Sequence, residues 1–365
     1  IGLPDRALAR FCTEAQRNPK QAVDFVTAFL LKIAANSFLG HGSKTQAITI
    51  GGASSRGDAC NELTETFLDA FDATPVNDPH LFLRWHRDRD ETLWQRAMGM
   101  LSKGRSMPML INDHQVVPGL LAAGVTPDDA WNYCIVGCNE LGIPGRGCQS
   151  GNSIAMNFND LELVDGISRN RDIRQKCDMT AILDAYERKV FQLAVTGLRA
   201  RQSRVKLYAR ERPFPFCSAL YISCVENGQD LMVGASYPHL YGMFIRGTAN
   251  AVNVLAAIES LVLKERSHRL DELLTGLDEG RADVMEALAA APKWGNDEET
   301  PDRLAIALNT RRDKALRRAA AKVGVPPVAV CHVVRSLHYI DGRRIGATLD
   351  GRTAYAPVGD SIGPI

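Results

Sequence analysis

The sequence predicts an α/β fold. Two observations carry that reading. Short apolar runs of strand length, such as Ala47-Ile48-Thr49-Ile50 and Leu81-Phe82-Leu83-Arg84-Trp85, recur along the chain. Longer stretches with apolar residues at helical spacing separate them, and alternation of this kind calls for a sheet covered by helices.

The elements follow in order. Gln21 to Ser37 is an amphipathic helix by its spacing, and the Ala47–Ile50 strand is closed by Gly51-Gly52. Asp58 to Asp72 is helical, Leu81–Trp85 a strand, Glu91 to Leu101 a helix, and Met107–Ile111 a short strand before Asn112-Asp113. Thr126-Pro127-Asp128-Asp129 opens a short helix, with Thr as N-cap, Pro at the first helical position and acids in the first turn. That helix feeds a strand ending at Cys138. The following segment, Glu140 to Gly151, carries Gly142, Gly145, Gly147 and Gly151. It is either a loop that lets backbone approach a ligand or a plain surface loop. Asp172 to Arg204 is a long helical stretch, Ser218 to Val225 a strand, and Phe214, Phe216 and Tyr221 are core aromatics. Asn250–Lys264, Arg269–Ala291 and Pro301–Val323 are helices, the last two separated by Pro292 to Asp297. From Asp341 the tail is rich in glycine and turns. No internal repeat or low-complexity linker interrupts the pattern.

The composition excludes several classes. The 365 residues are 45% hydrophobic and 23% charged, as expected of a globular protein with a large core. Forty-three basic residues against 42 acidic ones leave a net charge of +1, so no basic excess points to nucleic acid. No apolar run is long enough to span a bilayer. The chain opens on Ile1 without a signal peptide, which suggests a segment of a longer polypeptide. Nine cysteines without secretory features imply a reducing, cytoplasmic setting. No Cys-x-x-Cys pair occurs, and Cys134 and Cys138 have no second pair at zinc-like spacing, so no metal site is expected.

The richest local feature is Tyr133-Cys134-Ile135-Val136-Gly137-Cys138-Asn139-Glu140. It places a thiol at a strand-to-loop break and a carboxylate two residues on. If the backbone stays extended, both side chains face the same space. Sulfur and carboxylate together suit hydrogen-atom and proton chemistry on one substrate; the alternative is a small buried hydrophobe beside a loop acid. Cys134, on the strand, reads as core.

These segments together resemble the glycyl radical enzymes, the family of pyruvate formate-lyase and the cobalamin-independent diol dehydratases. The resemblance rests on Gly51-Gly52 with Asn61-Glu62-Leu63, Arg84-Trp85-His86, Gly104 to Pro108 through Asn112-Asp113, and Asp128-Asp129-Ala130 through Gly137-Cys138-Asn139-Glu140. Pro213 to Gly228, Gly247-Thr248-Ala249-Asn250, Trp294-Gly295-Asn296-Asp297 and Gly346 to Arg352 follow in the family's order. It implies half of a ten-stranded α/β barrel of the pyruvate formate-lyase type with peripheral helices. Residues 1–365 would be one catalytic segment, lacking the N-terminal half and the C-terminal glycyl radical domain with its Arg-Val-x-Gly-aromatic motif.

The resemblance also implies roles. Cys138 would carry the thiyl radical that takes hydrogen from substrate, and Glu140 would act as base on a substrate hydroxyl. No cofactor would be bound in this chain; the glycyl radical would lie outside it, installed by a radical S-adenosylmethionine activating enzyme. The partners would be that enzyme and a small polar substrate, with no nucleic acid or membrane, and a homodimer is left open. Elimination or bond cleavage is the expected outcome. Formate acetyl transfer is disfavoured, because Gly137 and Asn139 flank Cys138 where that reaction needs adjacent cysteines. Asn139, Leu141 and Asn152 depart from the dehydratase pattern, which keeps a non-catalytic scaffold as the alternative. Asn112 and Asp113 would either hydrogen-bond the cysteine loop or form a turn. Arg352 would bind a substrate anion or make a structural ion pair, and His338 or His332 would line the pocket or stay structural.

Overall fold

The computed structural model describes residues 2–11, 18–39, 46–74, 76, 78–88, 91–148, 154–237, 242–332 and 337–359. They form two compact units, residues 1–153 with 205–241 and residues 154–204 with 242–365.

The first unit is built on a parallel sheet of strands β1 (Ala47–Gly51), β4 (His80–Trp85) and β5 (Met109–Asn112), in the order β1-β4-β5. The small antiparallel pair β2 (Ala53–Ser54) and β3 (Gly57–Asp58) lies between β1 and β4 in the chain. Ile48 stands opposite Leu81 and Leu83 opposite Leu110. Because side chains alternate across a strand, the sheet has two different faces. Ile48, Ile50, Leu81 and Leu83 pack under the helices Pro19–Leu39, Glu62–Ala73 and Glu91–Ser102, against Leu30, Phe67, Phe71, Leu93 and Met100. Ala47 and Phe82, one residue out of phase, face a second core made with Val117, Leu120, Tyr133, Ile135 and Ile143. Thr49 and Arg84 share that second face.

The helix expected from Asp58 begins at Glu62 instead. Gly57-Asp58 is spent on the β2–β3 pair, and Asn61 caps the helix by accepting the Leu63 amide at 2.9 Å while the Thr64 hydroxyl accepts the Asn61 amide at 3.1 Å. The expected strand Ser218–Val225 is overturned: Pro215–Ser218 and Ile222–Asn227 are short helices. Pro215 starts the first, and Gly228 in the left-handed region (φ 62°) stops the second. The core reading of the aromatics there is also overturned, since Phe214 is exposed and Phe216 is 81% exposed.

The cysteine segment is a three-stranded antiparallel meander: β6 (Cys134–Val136), β7 (Glu140–Ile143) and β8 (Gly147–Cys148). Val136 pairs with Glu140, Cys134 with Gly142, and Ile143 with Gly147. The loop expected over Glu140–Gly151 is therefore strand in its described part, with a turn at Pro144–Arg146.

The second unit holds a parallel sheet of β9 (Ile154–Asn159), β10 (Gly242–Arg246) and β11 (Ala329–His332), with β10 in the centre. None of the three appears among the expected strands. The central strand is buried at every residue, so it shows a short apolar run and no alternation. Thr248–Ala257 is buried at every position, continues as a π-helical segment to Lys264, and packs against Asp160–Ser168 and Glu299–Val323. Asp172–Arg204 is interrupted before Met179, which begins a helix running to Glu211. Arg269–Ala291 is two helices, Leu270–Asp278 and Ala282–Ala290. The tail begins with the helix Leu337–Arg344 before its turns. No helix among the described residues is long and apolar enough to cross a membrane.

Candidate active site

Cys138 sits in the turn Gly137–Asn139 that joins β6 to β7. Gly137 takes φ +65°, so the backbone is not extended through the thiol and the period-two expectation for Cys138 and Glu140 fails. The two groups meet by another route. The Glu140 side chain folds back over the turn, and its Oε2 accepts the amides of Cys138 at 2.9 Å and Asn139 at 3.1 Å. Glu140 is 6% exposed and Cys138 half-buried. A Cβ on Gly137 would lie 2.9 Å from both carboxylate oxygens, so only glycine leaves room for this seat. Among the described residues no donor reaches Oε1. Cys134 is 5% exposed, in the core as expected.

The foot of the meander is polar and buried. Asp113, fully buried, accepts Arg84 Nε at 2.8 Å and Nη2 at 3.0 Å, the Tyr133 hydroxyl at 2.6 Å and the Ala53 amide at 2.8 Å. Arg84 Nη1 donates to the carbonyls of Trp131 at 3.1 Å and Tyr133 at 3.2 Å, just ahead of β6. Its guanidinium carbon lies 4.0 Å from the Tyr133 ring centroid. Burial pushes the Tyr133 phenol well above its ordinary range, which keeps it a proton donor to Asp113. Thr49 Oγ1 accepts the Ile135 amide at 2.8 Å. Sequence reasoning missed Arg84, Tyr133 and Thr49. The available signal was a cation and a hydroxyl inside apolar strand runs, which demand buried partners.

The other expected site residues are placed as follows. Asn112 caps the helix Asp113–Ala122 by accepting the His114 amide at 2.9 Å, a turn role. Asn152 lies outside the described residues. Arg352 and His338 belong to the second unit. Arg352 donates to Thr348 Oγ1 at 3.2 Å and to the carbonyls of Ile345 at 3.1 Å, Thr353 at 3.3 Å, Ala356 at 2.7 Å and Gly346. Its donors are taken by the tail, so it supports that loop and has none to spare for a substrate anion. The His338 ring lies against Tyr339, centroids 4.1 Å apart and planes tilted by 42°. His332 Nδ1 is 3.4 Å from Thr248 Oγ1, and its Nε2 3.4 Å from Arg312 Nη2. Among the described residues no group of His, Cys, Asp and Glu could hold a metal ion.

A parallel-stranded α/β scaffold with a cysteine on a hairpin tip and a carboxylate seated across its turn defines the class. The chain belongs to the pyruvate formate lyase-like family, whose profile matches residues 13–327. Among curated relatives it is 27% identical to isethionate sulfite-lyase of Bilophila wadsworthia over 339 residues, covering 87% of this chain and 41% of that protein. It is 25% identical to (2S)-3-sulfopropanediol dehydratase of Klebsiella oxytoca, covering 89% and 42%. The fold is shared with a structure of 1,2-propanediol dehydration in Roseburia inulinivorans (TM-score 0.81, 24% identity, 100% of this chain and 50% of that one). It is shared too with the glycerol-bound B12-independent glycerol dehydratase of Clostridium butyricum (TM-score 0.80, 23% identity, 95% and 47%). The expected fold, α/β of the pyruvate formate-lyase type, is thus the observed one. The chain spans about two fifths of the length of the curated relatives it matches.

Proposed function

We propose that this chain is the cysteine-loop segment of a glycyl radical enzyme of the lyase or dehydratase type, acting on a small polar substrate. The observation that carries the reading is the seating of Glu140 across the turn that presents Cys138. The radical-bearing glycine, on another part of the polypeptide and generated by a radical S-adenosylmethionine activating enzyme, supplies the chemistry of removing one hydrogen atom from the Cys138 thiol. Cys138 Sγ then takes a hydrogen atom from a substrate carbon, breaking C–H and reforming S–H. Glu140, through Oε1, accepts the proton of the substrate's hydroxyl on that carbon. The leaving group on the neighbouring carbon departs with the bonding pair, a sulfonate as sulfite or a hydroxyl as water with the proton that Glu140 has taken up. The resulting product radical recovers a hydrogen atom from Cys138. Water must be kept from the sulfur during this cycle.

The sulfonate substrates named for the relatives above favour a sulfonate or hydroxyl leaving group beside a C–OH. Residues 1–365 form the segment concerned. Its net charge is +1, and among the described residues no helix is long and apolar enough to cross a membrane. The reading is tested on the full-length polypeptide, activated without oxygen. Cys138→Ala should abolish turnover, and Glu140→Gln, which still accepts the two amides but cannot take a proton, should lower kcat by about 10²- to 10⁴-fold. Turnover by Cys138→Ala at the native rate would overturn it.

A further inference from the structure

Strands β1 and β4 of the parallel sheet in the first unit, and the helix start that follows β5, each send one buried polar side chain to the base of the cysteine hairpin. From β1, Thr49, fully buried, accepts the Ile135 amide at 2.8 Å. From β4, Arg84, 2% exposed, holds the Trp131 and Tyr133 carbonyls. From the helix start after β5, Asp113 holds Arg84 through both oxygens and takes the Tyr133 hydroxyl at 2.6 Å. Thr49 and Arg84 lie on the sheet face away from the peripheral helices, where an apolar core would suffice for folding.

Buried polar groups are costly unless paired, and replacing them with packed apolar groups is often neutral or stabilising. What they supply that apolar packing does not is direction. Hydrogen bonds to Trp131 O, Tyr133 O and Ile135 N fix the first residues of β6 against sliding and rotation. Cys138 is three residues beyond the last of these, at the tip of a short hairpin, so a small tilt at the base moves Sγ by a comparable distance. The room for this assembly is also built in. A Cβ on Gly52 would stand 2.6 Å from Arg84 Cβ and 2.9 Å from Asp113 Oδ2.

We infer that Thr49, Arg84 and Tyr133, with Asp113, are positioning residues that set the height and tilt of the Cys138 sulfur for hydrogen-atom transfer. The inference rests on the proposed catalytic role of Cys138. Misplacement by about an ångström costs on the order of 10²-fold in rate.

The test uses Thr49→Val and Tyr133→Phe, near-isosteric losses of one hydroxyl each, in the activated full-length protein. Both should keep the radical signal of the parent and an unchanged KM while kcat falls about 10- to 100-fold. Thr49→Ser, which restores the acceptor, should recover most of kcat. Thr66→Val, removing a buried hydroxyl from the helix Glu62–Ala73, should leave kcat unchanged. Amide exchange over residues 134–140 should quicken in Thr49→Val. Native kcat in Thr49→Val and Tyr133→Phe, with Cys138→Ala inactive, would overturn the positioning role and leave the catalytic reading standing. Turnover by Cys138→Ala would sink the catalytic reading itself. In that event unchanged exchange in Thr49→Val refutes the anchoring too, and faster exchange sustains it.

Discussion

The Glu140 carboxylate lies over the turn that carries Cys138 and accepts that residue's amide at 2.9 Å. The contact exists because Gly137 has no side chain. At φ +65° an alanine costs about 1–2 kcal/mol in backbone conformation alone, and its Cβ would displace both carboxylate oxygens. Gly137→Ala should therefore push Glu140 out of its seat and change the turn at Cys138. The turn is half-buried and the freed amides can reach water. Kinetics on the activated full-length protein should show kcat down by about 10²-fold, while urea denaturation shows a loss of no more than about 3 kcal/mol. A larger fall in stability than in rate would mean that Gly137 serves the fold and not the site.

Gly52 stands in a different relation to its surroundings. Its φ of +79° is matched by other glycines, but its missing Cβ is what lets Arg84 and Asp113 meet. Gly52→Ala should break that buried ion pair and cost about 3–5 kcal/mol, in the range for stranding a buried charge. Gly57 provides the contrast, with φ +107° and nothing within 4 Å of a Cβ, so Gly57→Ala should cost only the backbone strain, about 1–3 kcal/mol. Equal losses of thermal stability in the two variants would remove the steric argument for Gly52.

How much of this was legible follows from the range of the interactions. The helix start at Thr126 and strands such as Leu81–Trp85 are set by neighbours in sequence, and they stand close to where expected. The strands β9–β11 were missed because their pairing joins residues far apart in the chain, and the central β10, buried at every residue, has no period to read. Ser218–Val225 has strand-like apolar residues, but Leu220 and Val225 are more than 60% exposed, so composition misled there. At the site, Cys138 and Glu140 were visible as a motif. Arg84 was not, since its partner Asp113 is 29 residues away and the Trp131 carbonyl 47. One recurrence was too short to register as a repeat. In each unit a strand ends in Asn and the next helix begins with Asp: Asn112 or Asn159 caps that helix, and Asp113 or Asp160 is buried against an arginine and a tyrosine.

Cys60 offers a check on the electrostatics of the β1 end. Burial and the neighbouring Asp58 carboxylate push its thiol up to about 12. At pH 8 its thiolate fraction is then on the order of 10⁻⁴, too small for ready alkylation. Cys217 is exposed. Brief iodoacetamide treatment followed by peptide mapping should label Cys217 well before Cys60. Asp58→Asn should speed labelling of Cys60 by removing the negative charge, and an unchanged rate would show burial alone to be responsible.

His332 predicts an acid sensitivity of the second unit. Burial and the nearby Arg312 guanidinium bring its imidazole down to about 4, from an ordinary value of 6.5. The neutral ring fits its neighbours. Nδ1–H can donate to Thr248 Oγ1, whose hydroxyl donates to Asp160 Oδ2 at 2.8 Å, while Nε2 receives Arg312. The sign follows from proton counting. Between pH 6.5 and 4 the unfolded chain binds this proton and the folded one does not, so stability falls as pH falls through that window and is undiminished above it. The loss between pH 7.5 and 5 should be about 2 kcal/mol at most, reduced by the partial exposure of the ring. His80, whose imidazole burial also lowers, adds a loss of the same sign, so the contribution of His332 is read from the difference between the native chain and a variant. Equilibrium denaturation at both pH values should show a larger loss in the native chain than in His332→Gln, whose amide does not titrate. Equal losses in the two proteins would place the sensitivity elsewhere.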